Sequence, residues 1–251
     1  MQRYFLKIAY NGSAFHGWQK QHNAHSVQAE IEDKMSVLFQ APVEITGCGR
    51  TDTGVHARCF FLHFDAETLP FDKETFIFKL NCMLPSAIAV YNLYKVKNTA
   101  HARFDAVSRT YQYRFITEKN PFEGLWAWQV RKETNFPLME QAAQILLKYR
   151  DFGAFCKSNG GNATNICEIK HVQFIYQKPL VIFEITANRF LRNMVRAITG
   201  TLADVGLGKT TLEEFEQIIH SGKRSKAGSS APAHALFLTD VKYPDSIFLH
   251  E

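Results

Sequence analysis

The order in which apolar periodicities follow one another constrains this chain more than any single motif. Arg3 to Tyr10 reads as a strand. Ser26 stands as a helix N-cap before Val27 to Gln40, where Val27, Ile31, Met35 and Leu38 recur at helical spacing. Two short strand patterns follow, Val43 to Gly47 and Cys59 to Phe64. Asp72 to Leu84 is helical and stops before Pro85, and Ile88 to Val96 is a strand. The order is β-α-β-β-α-β. The second half gives it again. Arg109 to Thr117 alternates as a strand, Pro137 opens a helix that runs through Leu147, and Ile166 to Tyr176 and Val181 to Ala187 are strands joined near Lys178-Pro179. Phe190 to Val205 is helical and ends at Gly206 and Gly208, Thr211 to His220 is a further helix, and Ala235 to Tyr243 is the last strand.

The expected class is therefore α+β: two ferredoxin-like (βαββαβ) halves joined into one mixed, mostly antiparallel sheet with a central cleft. Joining edge to edge would cover two exposed strand edges. The halves fall at residues 1–105 and 106–251. Only the element order repeats; the two sequences are not visibly alike. Asn11 to His25, Ser158 to Asn165 and Ser221 to Ala233 read as loops.

With 251 residues, 46% of them hydrophobic, the chain can bury a core of this size. Five Cys, an odd number without a C-x-x-C pair, argue for reduced thiols over a disulfide framework or a zinc knuckle. No window approaches the roughly 18 unbroken apolar residues of a membrane span, and the N-terminus runs straight into a strand pattern without a signal peptide. The expected location is the cytoplasm. A net charge of +5 suits a nucleic-acid partner without requiring one.

Chemistry concentrates at Gly47-Cys48-Gly49-Arg50-Thr51-Asp52-Thr53-Gly54-Val55-His56-Ala57. Three Gly within eight residues signal unusual turns, and Arg50 and Asp52 sit at the centre of a loop between apolar strands. A turn Asp beside a solvated Arg is the alternative reading of the same residues. A phosphate loop is a poor fit, since no Gly-Lys-Ser/Thr occurs, and the Gly spacing fails the dinucleotide fingerprint. Arg189, Arg192 and Arg196 fall on one face of the predicted helix, either a solvated basic face or a working one. His22 and His25 have no convincing partner ligands, so no metal is expected.

The signature Gly49 to Ala57 resembles that of the TruA family of tRNA pseudouridine synthases. So do, in family order, Tyr10-Asn11-Gly12-Ser13, His16-Gly17-Trp18-Gln19, Ser26-Val27-Gln28, Asn81-Cys82-Met83-Leu84-Pro85, His101-Ala102-Arg103-Phe104, Arg109-Thr110-Tyr111-Gln112-Tyr113, Phe190 to Arg196 and Ala231-Pro232-Ala233-His234. The resemblance spans nearly the whole chain. Cys48, Thr53 and Ala235 depart from the commoner family residues, and all three are small.

The resemblance implies an isomerase that converts uridine to pseudouridine at positions 38, 39 and 40 of the tRNA anticodon stem-loop. It implies no metal or other cofactor, tRNA as partner and a homodimer. Asp52 is then the catalytic carboxylate, acting as nucleophile or as base on the sugar. Arg196 is its cationic partner. Tyr111 stacks on the target uracil, against the alternative of core packing beside Tyr113 and Phe115. Arg50 braces the gap left by an extruded base, against the alternative of a phosphate contact. Leu191 lines an apolar floor or is plain core. Arg58, Arg103, Lys157, Lys223, Arg224 and Lys226 are phosphate-contact candidates. His56 and His101 read as structural hydrogen-bonding residues. Two rivals are a tRNA-binding or folding protein without catalysis, and a glycosidic hydrolase. The hydrolase usually wants a second carboxylate, which the signature loop lacks.

Overall fold

A computed structural model describes residues 1–157 and 164–249. Most of the Gly/Asn-rich loop expected from Ser158 to Asn165 lies outside the described residues. The chain is a mixed α+β protein with a mostly antiparallel sheet. Among the described residues Gln2–Tyr10 pairs antiparallel with His56–Ala66 and Ile88–Val96, Thr46–Gly47 with His56–Ala66, and Leu180–Ala187 with Ser108–Ile116 and Ile169–Gln177, while Trp128–Gln129 pairs in parallel with Ser108–Ile116. It divides into two compact units, Met1–Val107 together with the segment from Leu238 on, and Ser108–Phe237. Among the described residues no helix is long and apolar enough to cross a membrane.

The first unit runs β1 (Gln2–Tyr10), α1 (Val27–Phe39), β2 (Thr46–Gly47), β3 (His56–Ala66), α2 (Lys73–Met83) and β4 (Ile88–Val96). β1 lies between β4 and β3, and β2 pairs with the far side of β3. Side chains alternate across β1 as a pleated strand requires. Tyr4 stacks on Phe64 and Tyr10 meets Phe60 and Trp18, on the face that also receives Phe39 and Phe76 from the helices. Phe5 points the other way, onto Phe61, His63, Tyr243 and Phe248. Both faces of this small sheet are therefore dry, which accounts for the almost unbroken burial along β3.

Local signals place the helices. Ser26 Oγ accepts the Ala29 N–H and Asp72 the Thr75 N–H, each cap contributing about 1 kcal/mol. α1 ends at Gln40, in the left-handed region at φ 55°. β2 is shorter than the periodicity suggests, because only Thr46 and Gly47 pair with β3.

The second unit runs β5 (Ser108–Ile116), β6 (Trp128–Gln129), α3 (Phe136–Ile145), β7 (Ile169–Gln177), β8 (Leu180–Ala187), α4 (Met194–Gly206) and α5 (Leu212–Ser221). β8 lies between β5 and β7, and β6 adds in parallel to β5. Thr211 and Glu214 close a full capping box at the head of α5. The last strand, β9 (Leu236–Lys242), carries the chain back from the second unit to the first.

One helix differs from expectation. α4 begins at Met194, not Phe190, because Asn193 occupies the left-handed region at φ 66°. A helix cannot run through such a residue. Arg189 and Arg192 therefore precede the helix, and the expected three-arginine helical face does not form; only Arg196 is helical.

Candidate active site

The loop from Cys48 to Val55 is shaped by the segment that crosses it, residues 10–19. Trp18 N–H donates to Thr51 O at 3.2 Å, and the Tyr10 hydroxyl meets Thr51 Oγ1 at 2.9 Å. Thr51 is thus fixed through its backbone and its side chain, immediately before Asp52. Val55 N–H donates to Asp52 O at 3.1 Å, closing a turn whose Gly54 has φ 79°. His56 is buried, and its Nδ1 accepts the Gly12 N–H at 3.0 Å. That bond fixes His56 in a structural use.

Close packing explains the glycines of the crossing segment. A Cβ on Gly12 would lie 2.1 Å from Val55 O. One on Gly17, where φ is +87°, would lie 2.5 Å from Thr51 O, and one on Gly47 2.6 Å from the Trp18 ring. Trp18 itself is 2% exposed and packs on Phe60 with ring centroids 4.2 Å apart. The two segments touch backbone to backbone, so the Asp52 loop rests on a rigid floor.

Asp52 is half-buried and Arg50 exposed. Arg50 Nε donates to Gln19 Oε1 at 3.0 Å, and Gln19 Nε2 donates to Gln28 Oε1 at 2.8 Å. Gln28 Nε2 in turn donates to Glu32 Oε1 at 2.9 Å, and Lys20 Nζ pairs with Glu32 Oε2 at 2.9 Å. Glu32 is 7% exposed, and the Lys20 ammonium compensates its charge there. A line of hydrogen bonds therefore runs from helix α1 to Arg50. Sequence reasoning did not identify Gln19, Gln28 and Glu32 as its members, although Gln19 and Gln28 fall within the quoted motifs.

In the second unit, Tyr111 lies on β5 opposite Ile185 and is half-buried, its ring edge-on to Phe190 at 5.1 Å and 89°. Two residues on, Tyr113 is fully buried and donates to Pro232 O at 2.9 Å. Burial pushes its phenol far above the usual range, so it stays protonated. Phe115 is buried as well. The face that carries all three rings thus grades from core at Phe115 to a partly open position at Tyr111.

Leu191 is 3% exposed and its carbonyl accepts the Met194 N–H. Arg196 Nε donates to Ala231 O at 2.8 Å, and the Arg196 carbonyl accepts the Ala231 N–H at 2.9 Å. This two-way clasp sets the direction of the guanidinium. It is reinforced by Asn193 Nδ2 donating to Ser230 Oγ at 2.7 Å and by Gly200, where a Cβ would lie 1.8 Å from Ser229 O. Arg224 is turned inward, onto the carbonyls of Ala227 and Gly228 and onto Ser230 Oγ. Arg58, Arg103, Lys157, Lys223 and Lys226 are exposed. Among the described residues no group of three or more His, Cys, Asp or Glu side chains is arranged to hold a metal ion.

The family model described as tRNA pseudouridine synthase matches residues 7–105 and 142–244. A protein of Parabacteroides distasonis named tRNA pseudouridine synthase A is 46% identical over 248 residues, covering 99% of this chain and 98% of its own. One of the same name from Porphyromonas gingivalis is 47% identical, covering 99% of this chain and all of its own. Another from Acetivibrio thermocellus is 38% identical over 97% of this chain and all of its own.

Proposed function

Because this chain belongs to the tRNA pseudouridine synthase family, and so is an isomerase acting on tRNA, we propose that it acts at positions 38, 39 and 40 of the anticodon stem-loop with Asp52 as its catalytic carboxylate. The reaction breaks the uracil N1–C1′ bond, turns the base and forms a C5–C1′ bond, and C5 gives up its hydrogen to N1 or solvent. Nothing is oxidised or reduced. Asp52 serves either by attacking the sugar or by taking a proton from it, and both routes need a carboxylate held still at the sugar.

The observation that carries this assignment is the double fixing of Thr51, by Trp18 N–H and the Tyr10 hydroxyl, directly before Asp52. A solvated turn Asp would need no such floor. Tyr111, steadied edge-on by Phe190, offers a flat ring to the extruded uracil. Leu191 adds apolar surface for the base. Arg196, aimed by its clasp on Ala231, is the cation for the carboxylate in the role that the family resemblance assigns to it. Arg50, held at its Nε by Gln19, braces the space left by the base. We extend the proposal to a homodimer, which sedimentation of the purified protein tests directly, and to a cytoplasmic location, which cell fractionation tests.

Tritium release from tRNA transcribed with 5-tritiated uridine tests the core of the proposal, with wild type beside Asp52→Ala and Asp52→Asn. Release by wild type alone, from transcripts whose only labelled uridines lie at 38 to 40, is the expected result. Release by either variant at the wild-type rate would remove Asp52 from the chemistry. Release only from transcripts labelled elsewhere would move the target.

A further inference from the structure

Every backbone N–H of the segment Ala100–Asp105 has a hydrogen-bond partner. Arg3 Nη1 donates to Ala100 O at 2.8 Å while the same guanidinium clasps Asp65 with two bonds. The buried His63 accepts the Ala102 N–H on Nδ1 at 3.1 Å, and the Tyr243 hydroxyl donates to Ala102 O. His101 Nδ1 accepts the N–H groups of Arg103 and Phe104, and Asp105 turns back to accept the His101 N–H at 2.8 Å.

This bracing holds two side chains outward, Arg103 and Phe104. Phe104 is 72% exposed. The His101 ring lies behind it at 4.3 Å, and the Arg103 guanidinium stands 5.5 Å from its centroid. A lone exposed Phe on a loose loop is ordinary surface. Here the ring is backed by an imidazole, flanked by a cation and carried on a pinned turn whose acidic neighbour, Asp105, is folded inward. An acidic peptide would use the cation and ignore the ring. A single-stranded nucleic acid uses both, stacking a base and pairing a phosphate.

We propose that Phe104 is a stacking platform for an unpaired nucleobase of the bound tRNA, with Arg103 on the adjoining phosphate. It serves binding, not the isomerisation step. The proposal rests on tRNA being the substrate.

The test compares wild type, Phe104→Ala, Phe104→Leu, Phe104→Tyr and Arg103→Ala. Each is measured for Kd with full-length transcribed tRNA and for tritium release at saturating tRNA. Losing a stacked base should weaken Kd roughly tenfold in Phe104→Ala and Phe104→Leu, while Phe104→Tyr stays within about twofold. kcat at saturation should not change. Arg103→Ala should reduce the salt slope of binding by about 1. Phe104→Leu binding as tightly as Phe104→Tyr would overturn the platform, as would a loss confined to kcat. Should Phe104→Ala fail to fold, the Leu and Tyr pair still decides. A wild type that binds tRNA and releases no tritium would overturn the reaction instead, leaving the binding comparison to judge the platform by itself.

Discussion

Gln19 Oε1 accepts the Nε–H of Arg50 at 3.0 Å, and through that bond the reach of Arg50 is set from helix α1. Nε is the base of the guanidinium fork, so one neutral amide orients the whole head without neutralising it. Hydrogen bonds to charged groups are worth about 1.5–3 kcal/mol, and solvent exposure puts this one at or below the lower end. Gln19→Ala should therefore lower kcat/KM by about five- to tenfold. In an Arg50→Ala background the same change should cost almost nothing more, and a double-mutant cycle on tritium release measures that coupling. Additive losses would mean that Gln19 acts elsewhere.

Tyr111 keeps its edge-on contact with Phe190 whether or not it carries a hydroxyl. Tyr111→Phe should therefore retain most single-turnover activity. Tyr111→Ala should lose about 100-fold or more, because the stacking face and the filled volume vanish together. Equal rates for the two variants would exclude stacking.

Gly17→Ala combines two penalties, a left-handed backbone at φ +87° and a Cβ 2.5 Å from Thr51 O. A loss of about 1–3 kcal/mol in stability is expected. Activity should fall further than stability, since the atom pushed is the Thr51 carbonyl oxygen, directly before Asp52. Gly49→Ala, where a Cβ would meet nothing within 4 Å, is the matched control and should melt like wild type. Thermal melts with activity assays on the folded fraction separate the two effects.

His63 sets a pH dependence of stability. Burial, then the nearby charge of Arg3, holds its imidazole down at about 4, against an ordinary value of 6.5. Burial and Arg3 lower His101 too. In the folded protein both Nδ1 atoms accept backbone N–H groups, so protonation would set donor against donor. The unfolded chain binds the proton first, near 6.5, and stability rises with pH wherever the unfolded state holds more protons. Stability should thus be full above pH 6.5 and decline as pH falls from there to about 4. His63→Asn, which keeps an acceptor and does not titrate, should flatten that decline in melting temperature. An unchanged profile would place the sensitivity elsewhere.

Much of this architecture is legible from residue order alone. Ile88–Val96 emerges with both boundaries in place, since alternation and the preceding Pro85 leave little freedom. Ser26 announces its helix by capping chemistry. The start of α4 is hidden because the apolar spacing continues smoothly across Asn193, whose positive φ is a matter of tertiary context. The Asp52 loop stands out by its glycines, yet its floor does not. Gln19, Gln28 and Glu32 form a line only once α1 lies against the loop, and pairing between distant polar residues leaves no period in a sequence. Arg224 looks like its exposed neighbours Lys223 and Lys226 until its three inward hydrogen bonds are seen.

The return of β9 to the first unit has a consequence for biosynthesis. Val107 N–H donates to Lys242 O, Lys97 N–H to Ile247 O and Leu249 N–H to Lys95 O, and Tyr243 caps Ala102. All of these partners leave the ribosome after the whole of Ser108–Phe237. At typical elongation rates that delay is on the order of ten seconds. Through it, the newborn β1 and β3 expose Phe5 and Phe61 without the Tyr243 and Phe248 that will cover them. Nascent chains stalled in this interval should therefore expose more apolar surface than the finished protein.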